Sequence, residues 1–330
     1  MYRYEDDSLM LHNDLYQINM AESYWNDGIH ERNAVFDLYF RNMPFGSGYA
    51  VFNGLKRMIQ FIENFHFSDS DIEYLQSIGY KNDFLKYLKN LKFTGNIRAM
   101  QEGELCFGNE PLLRVEAPLI QAQLIETILL NIVNFHTLIT TKASRIRQVA
   151  PQDTLMEFGT RRAQEIDAAV WGARAAYIGG FDSTSNVRAG KLFGIPVSGT
   201  HAHALVQTYG DEYKAFKIYA ERHKNCVFLV DTFHTLKSGV PTAIKVAKEL
   251  GDSINFIGIR LDSGDIAYLS KKARRMLDDA GFKDAKIIAS NDLDEQTITS
   301  LKAQGAKVDS WGIGTCLLYT SDAADDSLRV

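Results

Sequence analysis

Two histidines flanking an alanine, His201 and His203 in GTHAHA, follow an apolar run near the middle of this 330-residue chain. If the loop after the run is extended, residues two apart share a side and both imidazoles point towards one site. An imidazole nitrogen is a competent nucleophile near neutral pH, and a His-x-His pair is also a metal-site pattern. No cysteine or third histidine lies nearby in sequence, which weakens the metal reading. Arg260 and Asp262 alternate at the end of another run, in RLDSGD, with Ser263 and Gly264 next. Asp182 follows Gly179 and Gly180, and WGIGT offers backbone N–H groups where glycine lets a phosphate come close. Together these residue types suit an anionic, phosphate-bearing substrate with a ribose for the carboxylates. His234 also follows a run, whereas His12, His30, His66, His136 and His223 read as surface or helix residues. The Lys142, Arg145 and Arg147 group reads as a solvated helix face rather than an anion site, and Tyr16 and Phe158 read by default as core aromatics.

These residues need elements that bring them together. Seven apolar runs occur in succession: Thr154–Phe158, Ala175–Ile178, Phe193–Val197, Cys226–Val230, Asn255–Ile259, Lys286–Ala289 and Ala306–Trp311. The clusters that follow read FGTRR, GGFDSTSN, SGTHAHA, DTFHT, RLDSGD, SNDLDE and WGIGT. Strands that all end in polar clusters point the same way, and in a parallel βα barrel the site is built from the loops at the strands' C-terminal ends. Helical stretches at Asp211–Glu221, Pro241–Glu249, Asp265–Ala280 and Asp294–Gln304 separate successive runs, three of them opening on Asp, a favoured helix start. An open doubly wound sheet is the alternative, but it concentrates chemistry at a switch point rather than after every strand. The predicted fold is therefore α/β: an irregular, TIM-like parallel βα barrel, incomplete in this chain, with an N-terminal α+β domain.

Three regions precede or make up that barrel. Residues 1–117 mix short strands and helices, with VFDLYF as a strand, a helix over Gly54–Phe65 and a strand-rich Gly95–Val115. Residues 118–150 form a long helical connection, 151–315 the catalytic barrel, and 316–330 a tail. Net charge is −5 and hydrophobic content 45%, so a nucleic-acid or membrane-surface binder is not indicated. The three cysteines lack metal or disulfide spacing and the acidic start is not a secretory signal, which fits a cytoplasmic protein. No apolar stretch reaches the roughly 18 residues of a membrane span. The longest candidate, Leu124 to Thr140, is interrupted by Glu126, Asn131, Asn134 and His136.

The ordered motifs NDLYQINM, EFGTRRAQ, GGFDSTSNV, PVSGTHAHA, RLDSGD, ASNDLDE and WGIGT resemble the bacterial nicotinate phosphoribosyltransferases, a type II phosphoribosyltransferase family, from about Asp14 to Thr315. The resemblance implies attack of nicotinate on C1 of 5-phosphoribosyl 1-diphosphate, giving nicotinate mononucleotide and diphosphate in NAD salvage. It also implies ATP as co-substrate, Mg²⁺, and a phosphorylated histidine matching His203. By the same resemblance Phe158 and Tyr16 sandwich the pyridine ring, Tyr16 coming from the other subunit of a homodimer. Arg161 and Arg260 approach the base carboxylate and phosphates. Asp182 and Asp262 are base-side and ribose-side carboxylates, counted with His203 as catalytic. Ser290, Asn291, Gly314 and Thr315 form the 5′-phosphate cradle, and Thr200 and Ser263 complete the substrate contacts. Competing readings are a nicotinamide phosphoribosyltransferase, another phosphosugar barrel enzyme or a binding protein without catalysis; no lysine in the seven clusters offers an aldolase Schiff base. Residues 316–330, CLLYTSDAADDSLRV, do not continue the family pattern and resemble a translated sequencing-library adapter. They are expected to be non-native.

Overall fold

The computed structural model describes residues 8–318 and divides the chain into two compact units, Met1–Thr141 and Lys142–Val330. Residues 319–330, most of the expected non-native tail, lie outside the described residues.

In the first unit the elements run α1 (Leu15–Asn26), β1 (Asn33–Leu38), β2 (Ala50–Val51), α2 (Leu55–Glu63), α3 (Asp69–Ser77), α4 (Asn82–Asn90), β3 (Asn96–Ala99), β4 (Leu105–Cys106), β5 (Leu113–Pro118) and the start of α5 (Leu119–Val149). The strands form an antiparallel sheet in the order β1-β5-β3 and a two-stranded ribbon of β2 and β4. Ser68 starts α3 through a reciprocal cap: its hydroxyl accepts from the Asp71 N–H while the Asp71 carboxylate accepts from the Ser68 N–H. Phe61, Phe84, Leu88, Ile120 and Ile128 belong to one buried cluster that unites the helices with the sheet. Each such side chain contributes roughly 1.5–3 kcal/mol by leaving water.

Helix α5 is long and apolar enough by length and composition to cross a membrane, which the interruptions in its sequence did not suggest. More than half of its most apolar window is buried inside the protein. Thr137 and Thr141 also use their hydroxyls on the backbone N–H groups of Asn53 and Val51. It is a core helix.

The second unit alternates strand and helix: β6 (Thr154–Glu157), α6 (Glu165–Ile178), β7 (Ser183–Thr184), α7 (Val187–Phe193), α8 (His203–Tyr209), α9 (Glu212–Arg222), β8 (Asn225–Leu229), α10 (Val240–Leu250), β9 (Asn255–Leu261), α11 (Ile266–Asp279), β10 (Lys286–Asn291), α12 (Glu295–Ala303), β11 (Ser310–Ile313) and α13 (Thr315–Leu318). Asp211, Asp265 and Asp294 cap α9, α11 and α12, each carboxylate accepting an N–H from the first turn at 2.7–2.9 Å. All six strands run parallel in the order β7-β6-β11-β10-β9-β8. The expected irregular parallel βα barrel, incomplete in this chain, is present as this curled half-barrel sheet.

Two details depart from expectation. The run Ala175–Ile178 is the end of helix α6, not a strand, because its alanine-rich repeat packs on a helical face. The short strand β7 follows it, so six strands and one isolated bridge, Thr184 to Val197, replace the seven runs. The last strand among the described residues, β11, is interior, paired to β10 and β6. Among the described residues the sheet's two edges are β8 and the β7–Val197 side. Residues 316–318 continue as α13, with Leu317 and Leu318 buried.

Candidate active site

The C-terminal ends of five strands and the segment after Val197 converge on a cavity of about 260 Å³. Phe158, Arg161 and Arg162 enter after β6, Ser185 after β7, and Thr200 after Val197. Arg260 and Asp262 come from β9, Ser290, Asn291 and Asp292 from β10, and Gly312, Gly314 and Thr315 from β11. Phe158 stands so close to β11 that a Cβ on Gly312 would lie 2.6 Å from its ring. Only glycine leaves the aromatic its place there. Asn291 carries φ +132°, a region that disfavours side chains; such strain is held only where the surroundings over-determine it, as around a binding site.

Arg260 is the hub. Its Nε donates to Ser290 Oγ at 2.7 Å, one Nη to Thr200 Oγ1 at 3.0 Å and the other to Asp262 Oδ1 at 2.7 Å. The guanidinium also sits 5.5 Å from the centroid of the Phe158 ring. Ser290 donates in turn to Asp262. Burial alone would raise the Asp262 carboxyl, but its contact with His203, the Arg260 charge and the Ser290 hydroxyl hold it well below the usual carboxylate range. Asp262 is therefore anionic at any physiological pH. A planar cation on an aromatic face, next to a fixed carboxylate, suits a flat anionic ring beside a polyhydroxylated group.

The two histidines do not point together, contrary to the extended-loop expectation. His203 is the first residue of α8; its Nδ1 lies 3.0 Å from Thr232 Oγ1 and its Nε2 3.6 Å from Asp262 Oδ2. The His201 ring is only 7% exposed and packs on Phe216 and Tyr219, with its Nε2 accepting the Leu229 N–H at 3.2 Å. Burial pushes its pKa down to about 4, so it is a neutral acceptor rather than a nucleophile.

Asp182 is corrected. Its carboxylate accepts from Arg147 at 2.7 Å and from the Leu155 N–H at 2.8 Å, and it does not line the cavity. It precedes β7 because the strand starts at Ser183, so it sits beside the beginning of β6, away from the strands' C-terminal ends. The Lys142, Arg145 and Arg147 group is likewise not a solvated face: Lys142 and Arg145 both bind Glu295, at 2.5 and 2.7 Å, and Arg147 holds Asp182. Ser263 binds Asp231 Oδ2 at 2.6 Å, and Tyr16 lies half exposed on α1 of the first unit.

Asp231 and Thr232, in the DTFHT cluster that offered His234, also stand beside these groups, a place the sequence pattern does not signal. Asp231 Oδ2 also accepts the Asp262 N–H at 2.8 Å, while its Oδ1 is buried without a partner. Among the described residues no three His, Cys, Asp or Glu side chains form a metal cage. One orphan carboxylate oxygen fits instead the sparse protein ligation of a Mg²⁺ ion that takes its other ligands from phosphates and water.

A protein-family model described as "Nicotinate phosphoribosyltransferase (NAPRTase) family" matches residues 154–329, and that of the N-terminal domain of nicotinate phosphoribosyltransferase matches 11–134. The nicotinate phosphoribosyltransferase of Bacillus subtilis is 68% identical over 322 residues, covering 97% of this chain and 66% of that protein. The human nicotinate phosphoribosyltransferase is 33% identical, over 92% of this chain and 68% of that protein. The crystal structure of human nicotinic acid phosphoribosyltransferase superposes with a TM-score of 0.85 at 32% identity, over 92% of this chain and 72% of that one. A nicotinate-nucleotide pyrophosphorylase from Pyrococcus furiosus, at 24% identity and TM-score 0.78, shares the fold. The chain spans about two thirds of the length of the curated relatives it matches. By the motifs, the half-barrel and the family match over residues 154–329, it belongs to the nicotinate phosphoribosyltransferase family.

Proposed function

We propose that this chain carries the site of a nicotinate phosphoribosyltransferase acting in NAD salvage. The pyridine nitrogen of nicotinate attacks C1 of 5-phosphoribosyl 1-diphosphate, the N–C bond forms as the C–O bond breaks, and diphosphate leaves. The observation that carries this reading is Arg260, stacked on Phe158 and bonded to Asp262, Ser290 and Thr200 in one cavity. Phe158 offers a face for the pyridine ring, and Arg260, with Arg161, offers guanidinium donors to its carboxylate. Asp262, fixed as an anion, accepts from ribose hydroxyls. The turn of Asn291 and the Gly314–Thr315 backbone supply donors for the 5′-phosphate. Tyr16 of the partner subunit closes the ring sandwich in a homodimer. Asp231 Oδ1, buried without a partner, would be the protein oxygen to hold a Mg²⁺ ion, which when bound would offset the charge of the diphosphate.

His203 takes the γ-phosphoryl of ATP: an imidazole N–P bond forms as the bond to the β-phosphate oxygen breaks, and ADP leaves. Its placement between Thr232 and Asp262 supports this, since both neighbours orient the ring beside the ribose-side carboxylate. The added negative charge then biases diphosphate affinity. ATP labelled in the γ position should leave acid-labile, base-stable phosphate on the protein, and His203→Ala should remove it while a slow ATP-independent transfer persists. Undiminished label in His203→Ala overturns the assignment.

A further inference from the structure

We infer that Glu157, which touches no substrate, is a positioning residue: its ionised carboxylate holds the loop bearing Phe158 and Arg161 in register with the loop bearing Ser185. The inference rests on the reading of Phe158 and Arg161 as the base-binding side of the cavity. Glu157 ends β6 and is fully buried. Its Oε1 accepts the N–H of Gly159, directly after Phe158. Its Oε2 accepts the Thr184 hydroxyl at 2.5 Å, and its backbone carbonyl accepts the Ser185 N–H at 2.9 Å. Thr184 Oγ1 accepts in turn from the Asn186 N–H at 2.9 Å, and Asn186 caps α7. One carboxylate thus ties together the loops after two neighbouring strands. Gly159 has no slack there, since a Cβ would fall within 3.0 Å of both Glu157 Oε1 and Leu318.

The protonation state decides whether the tie holds. As a carboxylate, Glu157 accepts from both donors. Protonated on Oε2, it would have to donate to Thr184, whose own proton would then be orphaned in a buried site, at the cost of an unmade hydrogen bond. The surrounding elements carry Arg161 and Arg162 after β6, Asp182 before β7, Glu165 on α6, Arg188 on α7 and Cys316 on α13. Burial nonetheless dominates, pushing the Glu157 carboxyl up to about 6 against the pull of Thr184 and Gly159. A carboxyl raised in the fold binds its proton earlier than in the unfolded chain. Between about pH 6 and 4.5 this group therefore stabilises the fold as pH falls. Over the same window it loses its grip on the loops. A structural residue and a positioning residue thus give opposite trends.

The test uses the 330-residue chain labelled with ¹⁵N-glycine, and Glu157→Gln, which reproduces the hydrogen-bonding pattern of the protonated acid. The Gly159 amide proton, bonded to a carboxylate, should move upfield with a midpoint near pH 6 in the native chain and show no such step in Glu157→Gln. Nicotinate affinity, measured by calorimetry across the same range, should weaken roughly ten- to hundredfold on acidification of the native chain. In Glu157→Gln it should be low and flat, with a melting temperature at pH 7.5 no lower than native. A Gly159 resonance that does not titrate, or an unchanged nicotinate affinity in a folded Glu157→Gln, overturns the inference. A Gly159 titration without nicotinate binding at any pH keeps the tie and removes the base-binding reading on which its purpose rests.

Discussion

At Asp262, three groups meet on one carboxylate, Arg260 and Ser290 on Oδ1 and His203 near Oδ2, while the residue's own backbone N–H donates to Asp231. Removing a carboxylate that accepts from ribose hydroxyls costs roughly 1.5–3 kcal/mol of donor binding, the range for a hydrogen bond to a charged group. Asp262→Ala is therefore expected to raise the dissociation constant for 5-phosphoribosyl 1-diphosphate about ten- to hundredfold in a calorimetric titration. Unchanged donor affinity removes Asp262 from the ribose. The pairing of Arg260 with Asp262 was legible in the sequence because alternation along a strand end puts both on one side. Asp182 was not, because its place depended on reading Ala175–Ile178 as a strand. A residue assigned to a strand's far end moves to its near end once the strand begins one residue after it. Glu157 was invisible for another reason: nothing in EFGTRR says that the carboxylate turns into the interior rather than towards the ligand.

Elements that announce themselves with caps were read correctly. Helices α9, α11 and α12 begin one residue after Asp211, Asp265 and Asp294, and strands β8, β9 and β10 fall on their apolar runs. The two-residue β7 lacks the length to show an apolar pattern. The sheet compensates with a side chain. Between the Val197 side and edge strand β8, the imidazole of His201 accepts the outward N–H of Leu229, as a neighbouring strand's carbonyl would. That role needs an unprotonated Nε2. A histidine held near 4 in the fold and titrating near 6.5 when unfolded makes stability fall as pH drops from about 6.5 to 4. The shift sets an upper bound of about 3 kcal/mol. His201→Gln keeps an acceptor without the titration. Urea denaturation at pH 7 and pH 4.5 should show a smaller acid loss in His201→Gln than in the native chain. Equal losses would show that this ring does not set the acid sensitivity.

On the scale of the whole molecule, the polar cluster after each strand becomes one site only because the strands are parallel, and that much followed from the repeated pattern. The division into units at Thr141 and Lys142, inside the continuous helix α5, did not, since no break in composition marks it. The central proposal is phosphoribosyl transfer to a pyridine carboxylate. It is tested most directly by incubating the protein with 5-phosphoribosyl 1-diphosphate, Mg²⁺ and either nicotinate or nicotinamide, with and without ATP, and resolving the nucleotide products by chromatography. Arg260 on the Phe158 face favours a carboxylate over a neutral amide. Nicotinate mononucleotide should form, faster with ATP, and nicotinamide mononucleotide should be scarcely detectable. Production of nicotinamide mononucleotide at an equal or greater rate, or no nucleotide from either base, contradicts the proposal.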